Sequence, residues 1–378
     1  MRPTWAEIDL PALRHNYRVI SGRVGSSVTV CAVLKADAYG AGVVECARAL
    51  EAEGATWFGV TTTEEGLRLR EAGGRARILL MTGFWRGEQE EIVRHRLTPA
   101  VWDWWQLGAL ESALVKLARH GDPPFPVHVK VDTGMARLGV PDYWMGLFLR
   151  RLKAAPHLSM EGLFTHLSSA DQLQKDTTEL QLARFTGFEE ATREHGFAPT
   201  FVHVANSACV AARPNVWRNM VRPGIALHGY VRPLGHPELG DLDLKPVLSW
   251  KSRVVTMKDV GIDQAVGYSG TFVTKVPTRL AILPVGYADG FDRRLSNKGR
   301  VIVRGRCAPI AGRISMDLTL IDVTQIDGVS VGDEVILLGS DGECSISALD
   351  HARAAGTITH DILCSISSRV PRRYNESA

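Results

Sequence analysis

Residues 28–40 read VTVCAVLKADAYG. A run of apolar, largely β-branched residues stops at Lys35, and Asp37, Tyr39, Gly40 and Gly42 follow closely. A short continuous apolar run fits a strand buried on both faces, as in a parallel sheet covered by helices. Lys35 is then an ammonium at the end of a buried strand. Burial disfavours the charged amine. Such a lysine is the first solvated residue past the core, is rescued by a partner, or is kept for its neutral amine, a nucleophile that forms Schiff bases. This stretch alone leaves the three open.

The pattern recurs along the first two-thirds of the chain. Apolar runs predict strands at 28–34, 57–60, 78–81, 98–101, 127–131, 162–166, 201–204 and 219–222. Between most of them lie segments with apolar residues at threes and fours, such as GVVECARALEAEGA, TEEGLRLREAGG, WQLGALESALVKLARHG and ELQLARFTGFEEATREHG. About eight such units favour a closed (β/α)8 barrel over an open doubly wound sheet, and no G-x-G-x-x-G follows the first strand. The polar residues just past the strands are Lys35 and Tyr39, Asp132 and Arg137, His166, Asn206 and Ser207, and Arg222. In a barrel these positions converge on one mouth. The remaining third is strand-rich with glycine turns and little helical period, so it reads as an all-β domain. The expected division is a barrel over 1–243 and a β domain over 244–378, starting near Leu244 after RPLGHPELGDLDLKP.

Composition narrows the function classes. The chain has 378 residues, 45% hydrophobic and 22% charged, which describes an ordinary globular protein with room for two domains. A net charge of +3, with no basic run interleaved with aromatics, speaks against nucleic acid. The six cysteines are scattered without a C-x-x-C pair, so neither a disulfide framework nor a metal site is expected. The start, MRPTWAEIDL, is unlike a signal peptide, and no apolar stretch is long enough to span a bilayer. A cytoplasmic protein is expected.

The motifs AVLKADAYGAG, VDTGMARLG, THLSSAD, HVANSA, RPGIALHGY, VGYSGTF, LPVGYADG and GRISMD occur in an order and spacing that resemble the bacterial alanine racemases. The resemblance covers nearly the whole chain. It implies a pyridoxal phosphate (PLP) enzyme that interconverts L- and D-alanine, with a barrel, a β domain and a head-to-tail homodimer of shared active sites. It also implies a role in supplying D-alanine for cell-wall peptidoglycan. Lys35 resembles the lysine that binds PLP covalently and serves as one of two opposed bases. Tyr268 resembles the other, supplied by the partner subunit. Racemisation removes a proton from one face of Cα and returns one to the other, so two bases are needed. An isolated tyrosine has a pKa of about 10 and needs nearby positive charge to act as a base. His166 resembles a histidine linked to Tyr268 and Arg222.

By the same resemblance, Tyr39, Ser207, and the backbone of Gly224 and Ile225 contact the cofactor phosphate, with Asn206 beside them. Arg222 faces the pyridine nitrogen, where many PLP enzymes place a carboxylate; a guanidinium keeps its proton and leaves the ring a weaker electron sink. Arg137 is expected near the cofactor phenolic oxygen and the substrate carboxylate, and Lys130 as a carbamylated lysine that orients it. Met316, through its backbone N–H, and Asp317 are expected at the substrate carboxylate, and Tyr287 at the substrate entrance. One position departs from the pattern: Ser368 stands where the family commonly has tyrosine, which widens the pocket. A serine or broader-specificity racemase is therefore an alternative, as is a non-catalytic PLP-carrier barrel, although that class usually lacks the β domain.

Overall fold

The computed structural model describes residues 2–118, 122–172, 176–231 and 242–376. Two compact units emerge. One is formed by Ala12–Ala38 with Val43–Lys245, the other by the chain up to Pro11, Tyr39–Gly42 and the chain from Pro246 onward. Most of the expected link at 232–246 lies outside the described residues, as do the last three residues of WQLGALESALVKLARHG.

Strands are numbered from β1 (Thr4–Asp9), which belongs to the second unit. The first unit holds β2 (Thr29–Val33), β3 (Trp57–Val60), β4 (Arg77–Leu80), β5 (Thr98–Val101), β6 (Phe125–Lys130), β7 (Leu158–Phe164), β8 (Phe201–His203) and β9 (Met220–Val221). All pair in parallel, in the order β8-β7-β6-β5-β4-β3-β2-β9. The ring is completed where Arg222 bridges Asn206 and its N–H donates to Ala205 O at 2.9 Å. Every residue of β3 and β5 is buried, as expected for strands covered on both faces. Cys31, Trp57, Leu79 and Met220, one from each of four strands, pack together inside the ring. Helices alternate with the strands, and two begin with reciprocal caps, Thr62 with Glu65 and Asp103 with Gln106.

One irregularity shapes the interior. The β6–β7 register shifts so that Val127 faces Met160 while His128 faces Gly162, leaving Glu161 as an inserted residue. A bulge of this kind re-aims a side chain. A Cβ on Gly162 would lie 2.4 Å from the His128 ring, so glycine is what admits the imidazole there.

The second unit holds β10 (Leu248–Arg253), β11 (Thr256–Val260), β12 (Ala265–Val266), β13 (Phe272–Val273), β14 (Thr278–Leu283), β15 (Arg300–Val303), β16 (Arg306–Pro309), β17 (Thr319–Asp322), β18 (Glu334–Asp341), β19 (Cys344–Ile346) and β20 (Arg372–Asn375). The main sheet runs β16-β15-β18-β10-β1-β20, and two short helices, Ala348–Ala355 and Thr359–Ser365, join it in sequence. The one parallel pair in that sheet is β1 with β20. Residues up to Pro11 thus group with the second unit rather than the barrel, since β1 is hydrogen-bonded between two strands from the far end of the chain. Among the described residues no helix is long and apolar enough to cross a membrane.

Candidate active site

Lys35 follows β2, whose end is fixed by Val33 N donating to Pro223 O and Leu34 N donating to Gly59 O, both at 2.8 Å. Beyond it the backbone turns left-handed: φ is 53° at Ala36, Asp37 and Ala38, 54° at Tyr39 and 82° at Gly40. Left-handed backbone costs about 1–2 kcal/mol per non-glycine residue, so neighbours must hold it. Ala36 N donates to Glu65 Oε1 (2.6 Å), and Asp37 Oδ1 accepts from Val43 N (3.0 Å) and meets Arg68 (3.1 Å). The turn that follows the lysine is therefore braced on both sides.

Lys130 closes β6. It is buried, donates to Met81 O at 3.2 Å and lies 5.4 Å over the Phe164 ring. Burial, then the charges of Arg222, Arg137 and Lys35, pull its amine down to about 7 against the opposing pull of Asp132. Asp132 Oδ1 accepts from the N–H groups of Gly134, Met135 and Ala136 and so shapes the loop that carries Arg137. His166, past β7, is held down to about 3 by burial and by Arg222, Arg137, Lys130 and Lys35, so it is neutral at physiological pH. The same neighbours act on both groups because all five lie at the C-terminal ends of the strands.

Arg222 is buried beneath them. Its Nη1 donates to His203 Nδ1 (2.6 Å) and His203 O (3.0 Å), and its Nη2 donates to Thr165 O (2.7 Å) and Val204 O (3.2 Å). Burial lowers its pKa to about 10, which still leaves it a cation at neutral pH. Among the described residues no carboxylate pairs with it. Beside it, Ser207 Oγ accepts from Gly224 N (2.9 Å) and Ala226 N (3.2 Å), tying two loops together and leaving the hydroxyl proton to donate elsewhere. Asn206 caps the next turn by accepting from Cys209 N at 3.2 Å. Ile225 is buried in the same loop.

Lys35, Lys130, Arg137 and Arg222 thus gather with Asp132 and a neutral His166. A cationic mouth with a hydroxyl and glycine-containing turns fits an anionic, phosphate-bearing group and a carboxylate substrate. Among the described residues no cluster of His, Cys, Asp and Glu could hold a metal ion, and no disulfide joins any of the six cysteines.

The other expected residues belong to the second unit. Tyr39 is buried, 5.8 Å from the His360 ring, and burial raises its hydroxyl pKa. Tyr268 sits in a turn with Gly267, Ser269 and Gly270 all at positive φ, and is 69% exposed. Tyr287 N donates to Ser315 O and Ala288 N donates to Met316 O, both at 3.0 Å, so the Tyr287 turn and the Met316 loop are locked together. A Cβ on Gly286 would strike Ser315 O at 2.3 Å, so this approach needs glycine. Asp317 pairs with Arg369 at 2.6 Å, and Ser368 lies exposed in the adjacent turn.

Two family models match the chain: Alanine racemase, N-terminal domain, over residues 8–232, and Alanine racemase, C-terminal domain, over residues 247–374. The chain belongs to the alanine racemase family. The alanine racemase of Geobacter sulfurreducens is 42% identical over 378 residues, 99% of this chain and 97% of that one. That of Halothermothrix orenii is 42% identical over 375 residues, with the same shares covered. Among solved structures, the alanine racemase from D-cycloserine-producing Streptomyces lavendulae superposes with a TM-score of 0.91 at 33% identity, covering 100% and 98% of the two chains. The Bacillus anthracis alanine racemase with bound L-Ala-P gives 0.91 at 32%, covering 100% and 96%. Alanine racemisation is the activity of this chain, and the alanine racemase family is PLP-dependent.

His203 and Thr165, which hold Arg222, were not singled out from the sequence. His203 opens HVANSA and Thr165 opens THLSSAD, but nothing in their spacing says that one ring nitrogen and one carbonyl accept from the same guanidinium.

Proposed function

We propose that Lys35 holds PLP and moves the Cα proton on one face of the substrate, while Tyr268 of the partner subunit moves it on the other. The observation that carries this reading is the cationic mouth around Lys35, with Arg222 held by carbonyls and an imidazole and no carboxylate opposite it. The cofactor supplies an electron sink that makes the Cα proton removable. Tyr39, Ser207 and the Ile225 N–H would hold its phosphate, with Gly224, whose N–H goes to Ser207 Oγ, and Asn206 shaping the turns around it. Arg222 would donate a hydrogen bond to the ring nitrogen without giving up its own proton, which would leave the ring a weaker electron sink. His166, being neutral, can accept from one neighbour while donating to another. Arg137 and the Met316 N–H hold the substrate carboxylate, with Asp317 beside them and Tyr287 at the entrance.

Tyr268, Tyr287 and Met316 are 69%, 43% and 53% exposed on the second unit, which supports their working on another copy's barrel in a homodimer. A cytoplasmic enzyme supplying D-alanine for peptidoglycan is the corresponding cellular role. Sharing is tested by mixing inactive Lys35→Ala and Tyr268→Phe proteins under subunit exchange. One of the two sites in each hybrid dimer then carries both wild-type residues, so activity returns. No recovery in demonstrated hybrids places both groups on one chain.

Lys130 is the proposed carbamate. With a pKa of about 7, its neutral fraction rises through neutral pH, and only the neutral amine adds carbon dioxide, losing a proton to solvent. A carbonyl signal from 13C-bicarbonate is expected in wild type, stronger above pH 7 than below it and absent in Lys130→Ala. A signal that persists in the variant contradicts the assignment.

Ser368 bears on specificity. A tyrosine side chain buries about 150 Å² or more, so serine leaves room for a side chain larger than methyl. The expected result is measurable serine racemisation, with Ser368→Tyr raising the alanine-to-serine ratio of kcat/KM by about tenfold to a hundredfold. An unchanged ratio rejects that role.

A further inference from the structure

Arg222 is one end of a chain of polar groups that runs down the inside of the barrel, away from the mouth. Its Nη1 donates to His203 Nδ1 at 2.6 Å. His203 Nε2 lies 2.9 Å from His128 Nδ1. His128 Nε2 lies 3.5 Å from Glu161 Oε2, within ion-pair reach, and closes no hydrogen bond among the described residues, which leaves that carboxylate to face its proton. Glu161 is gripped in turn by Arg77, whose Nη1 and Nη2 donate to its two carboxylate oxygens at 2.5 and 2.6 Å. Both imidazoles are fully buried, and His203 stacks on Phe164 at 4.6 Å and 4°.

The ends dictate the protons between them. Arg222 has only donors to offer, so His203 Nδ1 must be the bare nitrogen, and the proton of the neutral ring sits on Nε2. That proton can only go to His128 Nδ1, which must also be bare, so the His128 proton sits on Nε2 and faces a carboxylate. Burial holds both histidines below their ordinary range, and Arg222, Lys130 and Arg77 push the same way, so the rings stay neutral despite Glu161. The geometry that allows this is built into the backbone. Glu161 is the residue inserted at the β6–β7 register shift, and Gly162 clears the space for the His128 ring.

We infer that Glu161, acting through His128 and His203, is a positioning residue for Arg222. Its carboxylate locks both rings in the tautomer that leaves His203 Nδ1 free to accept from the guanidinium. Without it, His128 can place its proton on Nδ1 and turn a donor toward His203, whose own proton then moves to the nitrogen that Arg222 needs. The tautomer claim stands on the barrel alone. Its effect on turnover rests on the proposal that Arg222 faces the cofactor.

The test uses selectively 15N-histidine-labelled protein without cofactor, comparing wild type, Glu161→Leu and Glu161→Gln. Wild type is expected to show both rings neutral with protons on Nε2. Glu161→Leu is expected to move His128 and His203 toward Nδ1–H, and Glu161→Gln, whose amide oxygen can still accept, to restore the wild-type pattern. On loading with PLP, Glu161→Leu should lower kcat for alanine by about tenfold while KM stays within about twofold. Wild-type His203 protonated on Nδ1, or tautomers unmoved in Glu161→Leu, overturns the inference. If Glu161→Leu does not fold, Glu161→Ala takes its place in the same comparison, with the same tautomer shift required. Shifted tautomers with unchanged kcat leave the tautomer claim intact and count instead against the role given to Arg222.

Discussion

Lys35→Ala is expected to lose alanine racemisation by more than about 10⁴-fold, since the change removes the proposed general base and the proposed covalent anchor together. The loss should exceed that of any other single change at the barrel mouth. Lys130 is not expected to stand in for it: it is buried over Phe164 and is the proposed carbamate. Borohydride reduction of the wild-type holoenzyme should fix a pyridoxyl group on the peptide containing Lys35, and the variant should carry none. A pyridoxyl group on Lys130 in the wild type would reassign the anchor.

Tyr268→Phe is the second large effect, about 10²- to 10⁴-fold in the overall rate. The hydroxyl is removed while ring volume and turn geometry are kept, and an exposed turn has little packing to lose. Because L- and D-alanine are equal in free energy, kcat/KM must fall by the same factor in both directions. Overall turnover therefore cannot say which face Tyr268 serves; exchange at Cα can.

Much of this architecture was legible because it rests on short-range physics. The eight apolar runs became eight parallel strands, with ends displaced by only a few residues, since strands buried on both faces leave a continuous apolar signature. The clustering of Lys35, Arg137, His166 and Arg222 followed from strand ends sharing a mouth. The misses were long-range. Nothing local in TWAEID says that residues 4–9 will sit between β10 and β20, because that placement is decided by partners more than two hundred residues away. Glu161 falls just before the strand expected at 162–166, and its role depends on a register shift visible only once β6 and β7 are paired. The run of left-handed residues after Lys35 was equally hidden, since Ala36, Asp37 and Ala38 have no common preference for positive φ and are held there by Glu65, Val43 and Arg68.

The account turns on two proton-transfer groups working on opposite faces of Cα. The most direct measurement is α-proton exchange into deuterated solvent in Tyr268→Phe, followed separately from each pure enantiomer. With Lys35 intact, D-alanine should continue to exchange its α-proton with retention of configuration, while exchange from L-alanine falls with the racemisation rate. Equal loss of exchange from both enantiomers would contradict the assignment of one face to each residue.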